Sequence, residues 1–176
     1  MRYLCSMTDP IARTVAFTGH RTCRSEAIAP LRQTIEALYA EGFRRFLSGM
    51  ALGFDLTAAE QVLACRSAHP DIELVAVIPF AAQAERFPAR ERQRYGRILT
   101  EADEVVCLAS HYHAGCYAVR NDYLADHAAC LAAWYDGSPG GTRYTVRRAE
   151  QRQRRILNLH PAGPQFPAAP PSLFDL

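Results

Sequence analysis

The sequence contains no lysine; all 20 of its basic residues are arginine. That absence removes a Walker-type phosphate lysine, a Schiff-base lysine and a lysine general base. Any phosphate must be held by arginine or by backbone N–H groups. Paired cysteines are missing too. Cys5, Cys23, Cys65, Cys107, Cys116 and Cys130 are widely separated, with no C-x-x-C pair and no metal-like spacing to a histidine. Free thiols in a reducing compartment are therefore expected, and no metal site. The longest apolar run, 128–135, is far short of the ~20 residues a membrane-spanning helix needs. Residues 1–10 lack the apolar stretch of a signal peptide, so a cytoplasmic protein with no membrane partner is expected. Net charge is small as well: +2, with a pI near 8.3, does not by itself require nucleic acid.

What is present is a regular alternation. A chain of 176 residues fits one domain. Residues 14–18 are apolar and partly β-branched, and stop at Gly19-His20-Arg21, which reads as a strand and its exit loop. Pro30 opens a helix carrying Leu31, Ile35, Leu38 and Tyr39, closed by Gly42. A second strand is predicted over 43–47, with Arg44 and Arg45 outside the sheet. Asp55 is placed to cap the helix that bears Leu56, Ala59, Glu60, Val62 and Leu63. Residues 71–79 are a nearly continuous apolar run, as in strands covered on both faces. A surface helix follows within 84–101, then a strand over 104–109, a helix over 116–127, a strand over 128–135, a helix over 142–153 and a last strand at 156–159.

This order predicts an α/β protein with a mainly parallel sheet of five to six strands and helices on both faces, occupying 1–161. The Pro- and Ala-rich 162–176 reads as a flexible tail. Parallel strands deliver their exit loops to one edge, where open α/β sheets bind ligands. The loops 18–21, 48–55, 79–80, 110–115 and 136–145 should meet there.

Those loops carry a resemblance. The pattern Ser48-Gly49-x-Ala51-x-Gly53-x-Asp55 resembles the second-strand loop of the SLOG superfamily, which includes DNA-processing protein A and the lonely-guy phosphoribohydrolases. Thr18-Gly19-His20-Arg21, Ile78-Pro79-Phe80 with Gln83, Arg120-Asn121, Tyr135-Asp136-Gly137 and Gly140-Gly141-Thr142 with Thr145 resemble the YpsA-like branch. The resemblance covers about 14–159 and implies a Rossmann-like three-layer α/β/α fold that binds a nucleotide or nucleotide-derived ligand, as a sensor or a nucleotide-processing protein.

Each site residue has a plainer reading beside it. Gly140, Gly141 and Thr142, at a helix start with Thr145, suit a phosphate better than an ordinary glycine turn. Gly49 and Gly53 suit close ligand approach or tight strand-to-helix packing. Arg120 and Arg21 could neutralise phosphate or pair with a nearby carboxylate. His20, His111 and His113 share the edge, with hydrogen bonding favoured over metal. Trp134 and Tyr135 read as core; Tyr112 or Phe80 could stack a base. The expected ligand set is Gly19, His20, Arg21, Ser48, Gly49, Gly53, Asp55, Pro79, Phe80, Arg120, Asn121, Asp136, Gly140, Gly141, Thr142 and Thr145, with a nucleotide or ribose phosphate as ligand.

Two alternatives stay open. N-glycosidic hydrolysis of a nucleoside monophosphate needs a carboxylate. The glutamate that lonely-guy enzymes carry three residues beyond the matching threonine is Arg148 here, which leaves Asp55, Glu60, Asp126 and Asp122 as candidates. Single-stranded DNA binding would use the arginines at 143, 147, 148, 152, 154 and 155. Ser172-Leu173-Phe174 faintly resembles a sliding-clamp-binding pentamer, without its leading glutamine. A homodimer also stays open.

Overall fold

Alternate residues of the first strand face opposite cores. Val15 and Phe17 pack into one apolar cluster and Ala16 into another, as the two-residue period of a strand requires when both faces are covered. The computed structural model describes residues 10–23 and 25–167. Residues 168–176, including the clamp-like 172–174, lie outside the described residues. Six strands, β1 (Thr14–Gly19), β2 (Arg45–Ser48), β3 (Glu73–Ile78), β4 (Glu104–Cys107), β5 (Cys130–Trp134) and β6 (Arg155–Asn158), form one sheet in the order β4-β3-β2-β1-β5-β6. Every pairing is parallel.

On one face lie α1 (Ile28–Ala40), α2 (Phe54–Cys65) and α3 (Ala89–Glu101). Their Leu31, Ile35, Leu38, Leu56, Val62, Tyr95 and Ile98 close over Phe17, Phe46, Leu74 and Trp134. On the other face α4 (Cys116–Asp126) and α5 (Gly141–Gln151) bring Leu124, Ala125, Val146 and Ala149 against Leu47, Val75, Val77 and Leu131. Each fully buried Leu, Ile or Phe contributes about 1.5–3 kcal/mol. The three-layer α/β/α arrangement read from the sequence is the one observed.

One local expectation is corrected. Arg45 begins β2 rather than lying outside the sheet, paired in register with Thr14 and Glu73. Its guanidinium reaches Glu73 at 3.2 Å and Glu104 at 2.5 Å, so its charge is met by carboxylates at the amino ends of the next two strands. The described residues just beyond 161 touch the body of the fold. Asn158 Nδ2 donates to Tyr135 O and Pro164 O at 2.9 Å each, and Phe166 packs against the α4–α5 core.

From β1 the strand order runs outward both ways, through β2 on one side and β5 on the other. The switch point therefore lies between the exits of β1 and β5, where open parallel sheets leave a crevice.

Candidate functional site

The β2 exit loop is held in a demanding conformation. Ser48 Oγ donates to Asp55 O at 2.9 Å and accepts the Met50 N–H at 3.2 Å. Met50 is buried with φ of 56°, a region non-glycine residues seldom occupy. Gln83 Nε2 donates to its carbonyl at 3.2 Å. Gly53 has φ of 80° and presses on the Arg21 backbone, where a Cβ would collide. Such strain persists only where surrounding contacts over-determine it.

Asp55 does not cap α2 as the sequence suggested. Gly53 occupies the cap position, no side chain caps the helix, and Asp55 lies one residue inside its start. Its carboxyl turns inward, leaving the residue 4 % exposed. Oδ2 accepts the Ala51 N–H at 3.4 Å and stands 3.7 Å from Arg120 Nη1. Oδ1 is buried and, among the described residues, has no hydrogen-bond partner. Burial pushes this carboxyl up to about 6, against the pull of the Arg120 guanidinium, the Ala51 amide and Arg21. The Gly19 amide also favours the ionised form.

Arg120 ties this loop to α5. Its Nη1 donates to Gly49 O and its Nε to Asn121 Oδ1 at 2.8 Å, while Asn121 Nδ2 donates to Gly141 O at 3.4 Å. Burial lowers the Arg120 pKa, and Asp55 opposes that shift. The helix α5 starts after Gly140, at φ of 142°, with no capping side chain. The N–H groups of its first turn have no intrahelical partner and sit at the positive end of the helix dipole. Thr145 Oγ1 donates to Gly141 O at 3.0 Å and is fully buried, so it braces this turn from inside.

His20 and Asp136 meet each other. Asp136 Oδ1 is 2.8 Å from His20 Nε2 and accepts the Ser138 N–H at 2.8 Å. The Ser138 hydrogen bonds, with His20 adding to them, hold the Asp136 carboxyl down at about 2. This contact clips the β1 exit to the β5 exit.

The result is a cavity of about 350 Å³ at the switch point, at the small end of ligand sites. Of the residues expected from sequence, it is lined by Gly19, His20, Arg21, Asp55, Arg120, Asn121, Gly141 and Thr142. Ser48, Gly49, Gly53, Pro79, Phe80, Asp136, Gly140 and Thr145 are not among its lining residues. Thr18 and Ala51, quoted in the loop motifs but not in the expected ligand set, also line it, as does Tyr117, which was not singled out. Tyr117 follows the Gly115 helix start at the same sheet edge, the one signal that could have found it. It packs edge-on to Phe80, which Tyr112 also meets. Arg21 is exposed and, among the described residues, has no hydrogen-bond or ion-pair partner.

Other candidates lie elsewhere. Glu60 is held by Arg94 at 2.7 Å and Arg97 at 2.6 Å in a different cavity, of about 980 Å³, between α2 and α3. Asp126 takes Arg148 at 2.9 Å and Arg152 at 2.7 Å, and Asp122 takes the Tyr144 hydroxyl at 3.0 Å. Asp55 is the one carboxylate of the four that lines the switch-point cavity. Arg154 and Arg155 are likewise engaged, with Ala125 O and Glu41. His111 and His113 make local contacts to Ser110 and Ala114.

An open, all-parallel sheet with a ligand-sized cavity at its switch point defines a Rossmann-like α/β protein. The model of the YpsA family, described as a SLOG family, matches residues 18–160, and the chain belongs to that family. A UPF0398 protein of Halalkalibacterium halodurans is 34 % identical over 126 residues, covering 70 % of this chain and 67 % of that one. The SPbeta prophage-derived protein YoqJ of Bacillus subtilis is 29 % identical over 140 residues, covering 72 % and 82 %. Among solved structures, DNA processing protein A of Streptococcus pneumoniae superposes with a TM-score of 0.61 at 18 % identity over 82 % of this chain. The Helicobacter pylori protein of that name, described for its single-stranded DNA binding mode, gives 0.62 at 18 % over 84 %. This chain spans 49 % and 64 % of those two chains, and the likeness is one of fold.

Proposed function

We propose that this protein binds a nucleotide or ribose phosphate in the switch-point cavity. Family membership supports a nucleotide-related role in general. The observation that carries the specific reading is the start of α5, with no side-chain cap among the described residues, and Thr142, lining the same 350 Å³ as Arg21, which has no hydrogen-bond or ion-pair partner among the described residues. In this reading the phosphate sits on the first-turn N–H groups of α5 and on the Thr142 hydroxyl, and Arg21 supplies the positive charge. A helix terminus adds about 0.3–1 kcal/mol and a charge-assisted hydrogen bond about 1.5–3 kcal/mol. A few such contacts correspond to about 4–8 kcal/mol, a millimolar to micromolar ligand. The base lies toward Tyr117, whose ring is backed by Phe80. Isothermal titration of nucleoside monophosphates and ribose 5-phosphate should show saturable binding. Absence of heat and of thermal stabilisation at millimolar ligand would remove the proposal.

One observation favours a second reading, N-glycosidic hydrolysis: a buried carboxyl raised to about 6 lines the cavity, close to the range useful to a general acid or base. Release of free base that is lost in Asp55→Asn would support it. No turnover of any common monophosphate by protein that binds them would remove it.

A further inference from the structure

Asp55 Oδ1 is buried and lacks a hydrogen-bond partner among the described residues, while its sister Oδ2 is engaged by Ala51 and Arg120. Such an acceptor is costly to leave unsatisfied, and this one, unlike the other buried unpaired oxygens on Gln83 and Tyr95, belongs to a residue that lines the cavity, where a ligand can supply the missing donor. We infer that Asp55 reads the ligand by accepting a hydrogen bond from a neutral donor on it, a sugar hydroxyl or a base N–H, and so rejects ligands that present only an acceptor there. This rests on the nucleotide reading and specifies how the same cavity selects.

The phosphate cannot be the group at Asp55. A phosphate carries about −1.5 to −2 charge at neutral pH and offers acceptor oxygens; against a buried carboxylate it meets repulsion and no donor. Its place is the α5 start, which Arg120 and Asn121 connect to Asp55 along one wall of the cavity. The part of the ligand reaching Asp55 is therefore beyond the phosphate, in the sugar or the base.

The titratable and charged groups around Asp55 are consistent with an acceptor role. Arg120 comes from α4, and Arg21 from the β1 exit loop with Cys23, whose thiol burial pushes up to about 12 and so keeps neutral. His20, paired with Asp136, and Tyr117 share the cavity. Among the described residues, no second carboxylate lines it. A donor from the ligand stabilises the ionised form, so ligand binding releases to solvent the proton that the free protein holds at Asp55 under mildly acidic conditions.

The test is a titration series with the four ribonucleoside 5′-monophosphates, their 2′-deoxy counterparts and ribose 5-phosphate. Loss of the contacting donor should weaken binding about 10-fold or more. A drop common to all 2′-deoxy compounds assigns the donor to the sugar; a drop confined to particular bases, or to the baseless ribose 5-phosphate, assigns it to the base. In Asp55→Asn, Arg120 turns the amide oxygen toward itself and leaves the NH₂ facing the ligand. The preference among these compounds should then collapse or invert. Should that variant fold poorly, carboxyl-carbon NMR of the wild-type protein gives the same answer, because the Asp55 titration midpoint should fall on ligand addition. Equal affinity across the series, with an unmoved Asp55 midpoint, overturns this inference and leaves the binding proposal standing. Failure of every compound to bind removes both.

Discussion

Arg21 and Gly49 sit on opposite sides of the same cation problem. Arg21 is exposed without a partner among the described residues, so Arg21→Ala should leave the stability of the free protein within about 0.5 kcal/mol. Affinity for a nucleoside monophosphate should fall about 10- to 100-fold in titration calorimetry, the weight of one charge-assisted hydrogen bond. Gly49 has no room for a side chain: an added Cβ would meet Arg120 Nη1, and Asp55 Oδ2 at 2.9 Å. Gly49→Ala should therefore cost about 1–3 kcal/mol in denaturant unfolding, with ligand affinity lost alongside. Asp55 shows where residue-level reading stopped. Its position beside a helix start is legible, and capping is the usual use of such an aspartate. The inward turn depends on Arg120, 65 positions later in the chain, and no local pattern carries that pairing. Thr145 is a similar case, since whether a hydroxyl faces ligand or its own helix is decided by the turn's packing.

At the scale of elements, the start of α5 carries the proposed phosphate. Gly140 stands at φ of 142°, so Gly140→Ala should strain the turn by about 1–3 kcal/mol and displace the first-turn N–H groups, with weakened binding in the same calorimetric assay. The far end of that helix is a separate matter. Asp126 on α4 holds Arg148 and Arg152 on α5, partly exposed pairs worth about 0.2–1 kcal/mol each. Asp126→Ala should lower the unfolding free energy by about that much without changing ligand affinity. If affinity dropped instead, the arginines of α5 would have a part in the site that their ion pairs do not suggest. Strand and helix identities were legible because apolar runs and helical spacing are local signals. The placement of Arg45 was not, because its charge is met by Glu73 and Glu104 on two further strands.

Taken whole, the molecule carries opposed proton linkages, of which Asp55 and Asp136 are the largest carboxyl shifts among the described residues. Asp55 has a folded-state pKa near 6, above its unfolded value of 3.8. Between those values the folded protein holds the extra proton, so this group's contribution to stability grows as pH falls from about 6 to 3.8 and is absent above. Asp136, held at about 2, does the reverse: its contribution is present above 3.8 and is lost as pH falls toward about 2. Denaturation midpoints measured from pH 7 to pH 3 should differ in slope between wild type and Asp55→Asn from about pH 6 to about pH 4, and run parallel above and below that window. The parallel order of the sheet, and hence the edge at which ligands gather, follows from strand–helix alternation alone. The strand order that puts the switch point between β1 and β5 follows from packing across the whole chain. The most direct test is titration of the wild-type protein and of Arg21→Ala with nucleoside monophosphates and ribose 5-phosphate. The account predicts saturable wild-type binding, with about 2.7 kcal/mol of stabilisation at a hundred times the dissociation constant, sharply reduced in the variant; millimolar ligand without binding, or equal binding by both proteins, would contradict it.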